Sequence, residues 1–224
     1  MSDSCSTEKA SCNSIKKDRN IEKHWCDAYT GVDITKLGWY ENKSIPTLEL
    51  IKKSGISKNA TILNVGAGAT TLIDDLLQKG YTKLIVNDIS SCAMENIKAR
   101  IGNKTENVEF ITDNIIHPKY LDKINKVDLW NDRAVLHFFT EEEDQNSYFS
   151  LLKQKVKNGG FVILSEFNLQ GAKKCSGLDV KRYDSKMLQD KLGKEFQLLE
   201  EFDYDYIMPS GNNRKYIYTL FQRV

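Results

Sequence analysis

ILNVGAGATTL, residues 62–72, carries two glycines at the end of an apolar run. Ile62-Leu63-Asn64-Val65 has the length and character of a strand buried on both faces. Gly66-Ala67-Gly68 follows, and a helical pattern begins near Thr70. Strand, glycine turn and helix in that order open a nucleotide-cradling unit. Glycines let a ligand approach the main chain, and the first amides of a helix are free to donate to it. The same order also turns α/β chains that bind nothing, so the neighbours of the stretch decide its meaning.

Those neighbours alternate regularly. After the strand at 61–65 the pattern predicts a helix over 70–79, a strand over 83–87 and a helix over 90–101, with Ser90 as N-cap and Gly102 as stop. Strands follow at 107–112 and 127–131, then a helix over 141–156 with acidic residues in its first turn, a strand over 161–167 and a helix over 184–192. Upstream, Ile21, Trp25 and Tyr29 share one face of a short helix, and Pro46 opens another that Gly55 closes. Downstream, residues 196–208 and 215–224 flank a Pro-Ser-Gly-Asn-Asn turn and form a long hairpin. This alternation gives right-handed crossovers and an α/β fold: a doubly wound, mostly parallel sheet with helices on both faces and an antiparallel last strand. Residues 1–18 read as a flexible polar tail, and 19–224 as one domain whose helical start, 19–56, forms a lid.

The chain has 224 residues, 40% apolar and 28% charged, as an ordinary soluble protein does. Its 32 Lys and Arg balance 31 Asp and Glu. A net charge of +1 supplies no field for a phosphate backbone, and no nucleic-acid partner is expected. No run approaches the roughly 18 consecutive apolar residues of a membrane helix. The polar N-terminus lacks the apolar core of a secretion signal, so a reduced, cytoplasmic location without a membrane partner is expected. Cysteines stand at 5, 12, 26, 92 and 175 with no C-x-x-C pair, which argues against a zinc site or a disulfide framework. Cys5 and Cys12 fit a polar tail better than a pair of soft-metal ligands.

In a doubly wound sheet, ligands sit at the carboxyl ends of the strands. Asp88 follows the second strand, about 20 positions beyond Gly66, where a carboxylate accepts both hydroxyls of a ribose. Taken singly, Gly66 and Gly68 make a tight turn and Asp88 caps a helix; together they favour a nucleoside. The third glycine of the dinucleotide fingerprint is absent, with Thr71 in its place. Asp113, after the third strand, has no role in that fingerprint but matches an exocyclic adenine amine as an acceptor.

N-V-G-A-G-A-T at 64–70, N-D at 87–88 and T-D-N at 112–114 resemble the class I S-adenosylmethionine-dependent methyltransferases. The resemblance spans about residues 20 to 224 and implies a seven-stranded sheet and S-adenosyl-L-methionine as cofactor. It implies that Gly66, Ala67 and Gly68 line the methionyl end, Asp88 the ribose, and Asp113 and Asn114 the adenine. Asn131 would lie near the sulfonium, with Thr70, Ile89 and Ile115 beside this set. Trp39 and Tyr40 fit a lid over the cofactor or, equally, an aromatic core anchor. Asn64 stands where that family usually carries an acidic residue, and Ala69 at a frequent glycine. H-W-x-x-A-Y at 24–29, G-W-Y-E at 38–41, D-L-W-N-D-R-A-V-L-H-F at 128–138 and C-S-G-L-x-V-x-R-Y at 175–183 are similar, more narrowly, to stand-alone bacterial methyltransferases.

Methyl transfer from a sulfonium is an in-line displacement that needs no metal. Arg133 and His137 follow the fourth strand. Arg133 suits an anionic acceptor, and His137 suits either a general base or a packing partner of Phe138 and Phe139. Arg182 and Tyr183 lie in a connection that shapes acceptor pockets in this fold. Cys175, in the same connection, reads as a reactive thiol or, more commonly, a small buried one. The short chain, with no added recognition domain, points to a small-molecule acceptor. The alternative is protein lysine: some eukaryotic lysine methyltransferases share the W-Y element. Against it, Asn131-Asp132-Arg133-Ala134 stands where a D-x-x-Y pattern is expected.

Overall fold

The computed structural model describes residues 20–224. The tail expected over 1–18, with Cys5 and Cys12, lies outside the described residues. Helix α1 covers residues 20–29. Helix α2 (Ile45–Ser54) starts with Pro46 in its first turn and ends on Gly55 in the left-handed conformation, φ 70°. Then come β1 (Thr61–Val65), α3 (Leu72–Gln78), β2 (Lys83–Asp88), α4 (Ser91–Ile101), β3 (Val108–Thr112), β4 (Val127–Arg133), α5 (Glu142–Lys155) and β5 (Val156–Phe167). A two-stranded ribbon, β6 (Lys174–Cys175) and β7 (Leu178–Asp179), precedes α6 (Ser185–Leu192), β8 (Phe196–Ile207) and β9 (Asn213–Arg223). The predicted caps are in place: the Ser90 hydroxyl accepts from the Ala93 amide, and Gly102 follows α4.

The seven strands lie in the order β3-β2-β1-β4-β5-β9-β8. Six run parallel, and β9 is antiparallel between β5 and β8. Alternation along the central strands sends side chains to two cores. Ile62, Leu84 and Leu129 meet α2, α3 and α4 through Leu50, Ile73 and Ile97. Leu63, Ile85 and Trp130 meet α5 and α6 through Tyr148, Leu152 and Leu188. Burial on both faces explains why these strands read as unbroken apolar runs.

Three features depart from the sequence reading. Strand β4 continues through Arg133, two residues beyond the expected end at 131, so Asp132 and Arg133 are strand residues rather than loop residues. The Cys175–Leu178 stretch is a hairpin, with Ser176 and Gly177 at φ 50° and 81°, the positive pair that a two-residue turn requires. Cys26 of α1 and Cys92 of α4 form a disulfide, with Cα atoms 5.2 Å apart. That corrects the expectation of no disulfide: the partners are 66 positions apart, and only the folding of α1 onto α4 brings them together. Among the described residues no helix is long and apolar enough to cross a membrane, and no His, Cys, Asp and Glu group forms a metal centre.

Candidate active site

The glycine turn is fixed from several sides. Ala67 N–H donates to the Asn87 carbonyl at 2.9 Å, which ties the turn to the end of β2. Gly66 and Gly68 have φ of 52° and 54°, accessible to glycine at little cost. A Cβ on Gly66 would meet Val135 Cγ2 at 2.0 Å, and one on Gly68 would meet the Tyr29 hydroxyl at 2.3 Å. The turn is therefore glycine for close approach as well as for conformation. Gly68 N–H donates to Asp88 Oδ2 at 2.7 Å, and Ser90 N–H donates to Asp88 Oδ1 at 2.8 Å. Asp88 thus joins the glycine turn to the start of α4. Burial pushes its carboxyl up to about 6 against the opposing amides of Ser90, Gly68 and Ile89.

Two adjoining cavities flank the turn. One is lined by Gly66, Asp88, Ile89, Asp113, Asn114 and Ile115. The other lies under the N-terminal segment and is lined by Ala67, Thr70, Asn131, Arg133, Trp39 and Tyr40. Trp25, Ala134 and Phe138 line both. Ala134 has φ 69°, an unfavourable conformation for a residue with a side chain, at the corner between the two spaces. Gly68 lines neither cavity and acts through its bond to Asp88.

Asp113 sits beside the first cavity, but its carboxylate is largely engaged. Oδ2 accepts from the amides of Lys119, Tyr120 and Leu121 at 2.8–3.0 Å, which leaves Oδ1 with one 3.2 Å contact. Asn131 pairs with Asn64: its amide donates to Asn64 Oδ1 across adjacent strands. The Asn131 Oδ1 atom is buried without a partner beside the second cavity.

A family model described as a methyltransferase domain matches residues 63–164. In fold the chain is similar to an S-adenosylmethionine-dependent methyltransferase from Anabaena variabilis ATCC 29413, with a TM-score of 0.74 at 13% identity over 92% of this chain and 95% of that one. The chain has the class I methyltransferase fold, and its residues 63–164 carry the match to the family. It is also similar in fold to the Burkholderia thailandensis 1,6-didemethyltoxoflavin-N1-methyltransferase, whose structure holds 1,6-didemethyltoxoflavin and S-adenosylhomocysteine (TM-score 0.64, 14% identity, 97% and 90% covered). In sequence it is 24% identical over 163 residues to EEF1A lysine methyltransferase 2 of Danio rerio, 66% of this chain and 68% of that protein.

The residues lining the two cavities fit S-adenosylmethionine. One cavity offers a carboxylate after β2 and an apolar floor of Ile89 and Ile115, suited to a nucleoside. The other offers the unpartnered acceptor Asn131 Oδ1 to the cationic methionyl end.

The lid is closed over this second cavity. Trp39 Nε1 donates to the Tyr29 hydroxyl at 3.0 Å, and Trp25 packs edge-on against Trp39 and Phe138 at 5.9 and 5.0 Å. The Tyr206 hydroxyl donates to the Tyr40 carbonyl, and the Thr71 hydroxyl donates to the Glu41 carbonyl at 2.9 Å. Trp39 and Tyr40 thus line this cavity and are tied to the rest of the fold by these contacts.

Arg133 is the pin beneath that roof. Its Nη1 donates to the Trp39 carbonyl and its Nε to the Tyr218 hydroxyl, both at 3.1 Å. Its Nη2 stands 3.2 Å from Glu41 Oε1, and its guanidinium lies 5.0 Å from the rings of Tyr206 and Tyr216. Those partners occupy the fork that the sequence reading assigned to an anionic acceptor.

His137 is fully buried and lines neither cavity. It stacks on Phe167 at 4.5 Å, and Nδ1 lies 2.9 Å from Glu166 Oε2. A direct role as acceptor base is therefore corrected, because Phe138 and Phe167 enclose the ring. Arg182 and Tyr183 also line neither cavity. Arg182 Nη1 donates to the Leu169 carbonyl, and Tyr183 is in the core. Sequence reasoning missed Arg214 at the start of β9, which reaches the cavity under the lid. No local motif marks it, since its place depends on the hairpin register.

Proposed function

We propose that this methyltransferase transfers the methyl group of S-adenosylmethionine to a small acceptor that carries negative charge. The acceptor binds under the lid formed by residues 19–56 of a single domain. The carrying observation is the wall of that cavity. It is aromatic and cationic: Trp25, Trp39, Tyr40 and Phe138 stand with Arg133 and Arg214, and its acid Glu41 is paired with Arg133. Arg214 has no carboxylate within ion-pair distance among the described residues. Its donors face only sulfur, Met208 Sδ at 2.8 Å and Cys175 Sγ at 3.4 Å. A guanidinium so placed favours an anion and repels a lysine ammonium.

The cofactor supplies a sulfonium whose methyl group is displaced in line. The chain's part is positional. Asp88 accepts from the ribose hydroxyls, with Ile89 and Ile115 against the base and Asp113 Oδ1 and Asn114 at its edge. Gly66, Ala67, Gly68 and Thr70 leave room at the turn, and Asn131 Oδ1 accepts from the methionyl end. Trp39 and Tyr40 exclude water, which helps hold nucleophile and methyl about 3–3.5 Å apart.

The lysine reading has two supports, the W-Y element at 39–40 and the similarity to EEF1A lysine methyltransferase 2. Labelled cofactor separates the two. Incubation with the small-molecule fraction of a cell extract is expected to give label in low-mass product. Label confined to a protein band would overturn the proposal.

A further inference from the structure

Cys175 lines the cavity under the lid, and it is backed by a chain of buried ionisable groups. The two-residue turn at Ser176-Gly177 sets its position. His137, whose two ring nitrogens are buried without an aligned hydrogen bond, lies close to the Cys175 thiol and favours its ionised form. Glu166 lies behind His137, at 2.9 Å from Nδ1. From the other side Arg214 Nη1 donates to Cys175 Sγ at 3.4 Å. The remaining titratable groups near the thiol are the phenols of Tyr29 on α1 and Tyr216 on β9. A thiol, an imidazole, a carboxyl and an unpaired guanidinium are therefore close neighbours, and of these the thiol and the guanidinium line the acceptor space.

We infer that Cys175 is the proton acceptor of the methyl-transfer step, held as a thiolate by Arg214 and His137, with Glu166 fixing His137. The inference rests on the proposed reading of the cavity and replaces His137 as the base. As the acceptor heteroatom attacks, its proton moves to Cys175 Sγ. The new bond to the methyl carbon forms while the sulfonium carbon–sulfur bond breaks, and its electron pair stays on sulfur. The protonated attacking group of the acceptor, a sulfonium and a thiolate become a methylated group, a neutral thioether and a thiol, while the acceptor's own anionic group is unchanged, so charge and protons balance. The electrostatics agree. Burial opposes ionisation of Cys175, but the contacts from His137 and Arg214 outweigh it and hold the thiol below its usual range.

The thiolate has an ultraviolet absorbance that reads its ionisation directly, without any acceptor. The test is a pH titration of the full chain, taken as the difference between wild type and Cys175→Ser. Cys175 is expected to titrate below the usual thiol value of about 8.5. His137→Gln and Arg214→Met should each move its midpoint up by about one pH unit, because each removes one stabilising contact. In parallel, Cys175→Ala should lower acceptor-dependent release of S-adenosylhomocysteine by roughly 100-fold or more, the scale of general-base catalysis, with cofactor binding by calorimetry unchanged. A midpoint at or above the usual value, or one insensitive to His137→Gln, overturns the inference. So does full release by Cys175→Ala. Failure of the wild type to bind S-adenosylmethionine would instead sink the functional reading and leave the thiol titration standing.

Discussion

Asp88 holds its two oxygens on two different pieces of main chain, the glycine turn and the start of α4. Burial raises its carboxyl to about 6, so the group changes charge just below neutrality. Above that pH it is a carboxylate that accepts from the ribose hydroxyls. Below it, one oxygen carries a proton and loses acceptor capacity. Affinity for S-adenosylmethionine should therefore fall as pH drops through about 6, and Asp88→Asn should bind weakly with little pH dependence. Calorimetry over that range checks this; equal affinity at both ends for the wild type would refute it. Asp88 was legible in the sequence because its distance from Gly66 is local to one βαβ unit. Asn64 was visible there only as an oddity. Its role, accepting from Asn131, belongs to the pairing of β1 with β4 and so to residues 67 apart.

One side chain, Arg133, ties the lid to the sheet in addition to the lid's own packing. Arg133 reaches the Trp39 carbonyl, Glu41 and Tyr218, joining the segment after α1 to β4 and β9. Arg133→Met keeps much of the stem but removes the fork and leaves Glu41 facing a low-polarity pocket. Breaking a buried pair in this way costs about 3 kcal/mol. The cost should appear locally, as faster hydrogen exchange in residues 34–44 and cofactor binding weakened by about tenfold. Arg133→Lys should rescue little, since an ammonium cannot bridge three partners of that geometry. Unchanged exchange over 34–44 in Arg133→Met would show that the aromatic packing alone keeps the lid closed. The sequence placed Trp39 and Tyr40 near the site, yet it read Arg133 as a ligand group. An arginine at a strand end suits both, and only its long-range partners decide.

Across the whole molecule, the parts read most easily were those coded by local period. Ile62-Leu63-Asn64-Val65 and its counterparts in β2, β4 and β5 are apolar because helices cover both faces, and the long hairpin announces its own antiparallel pairing. Contacts between distant segments were not coded in this way. The disulfide from α1 to α4 and the arrival of Arg214 beside Cys175 both depend on the assembled sheet. The same holds for the carboxyl pair beneath the site. Asp132, near the end of β4, accepts from the Tyr148 hydroxyl at 2.6 Å and is buried near the carboxyl of Glu166 on β5, whose charge disfavours its own. Burial raises both, Glu166 to about 8 and Asp132 well above the usual range, so the pair retains a proton near neutrality. In the unfolded chain both ionise near the ordinary carboxylate values, about 4. Between those limits the folded state binds more protons than the unfolded one. The pair's contribution to stability is thus full below about 4 and is lost as pH rises through about 8. Glu166→Gln, which copies the protonated acid, should remove much of that slope. Its urea midpoint should decline less from pH 5 to pH 7, about one unit inside each limit, than that of the wild type. Parallel curves for the two proteins would mean that the pair does not carry its proton through folding.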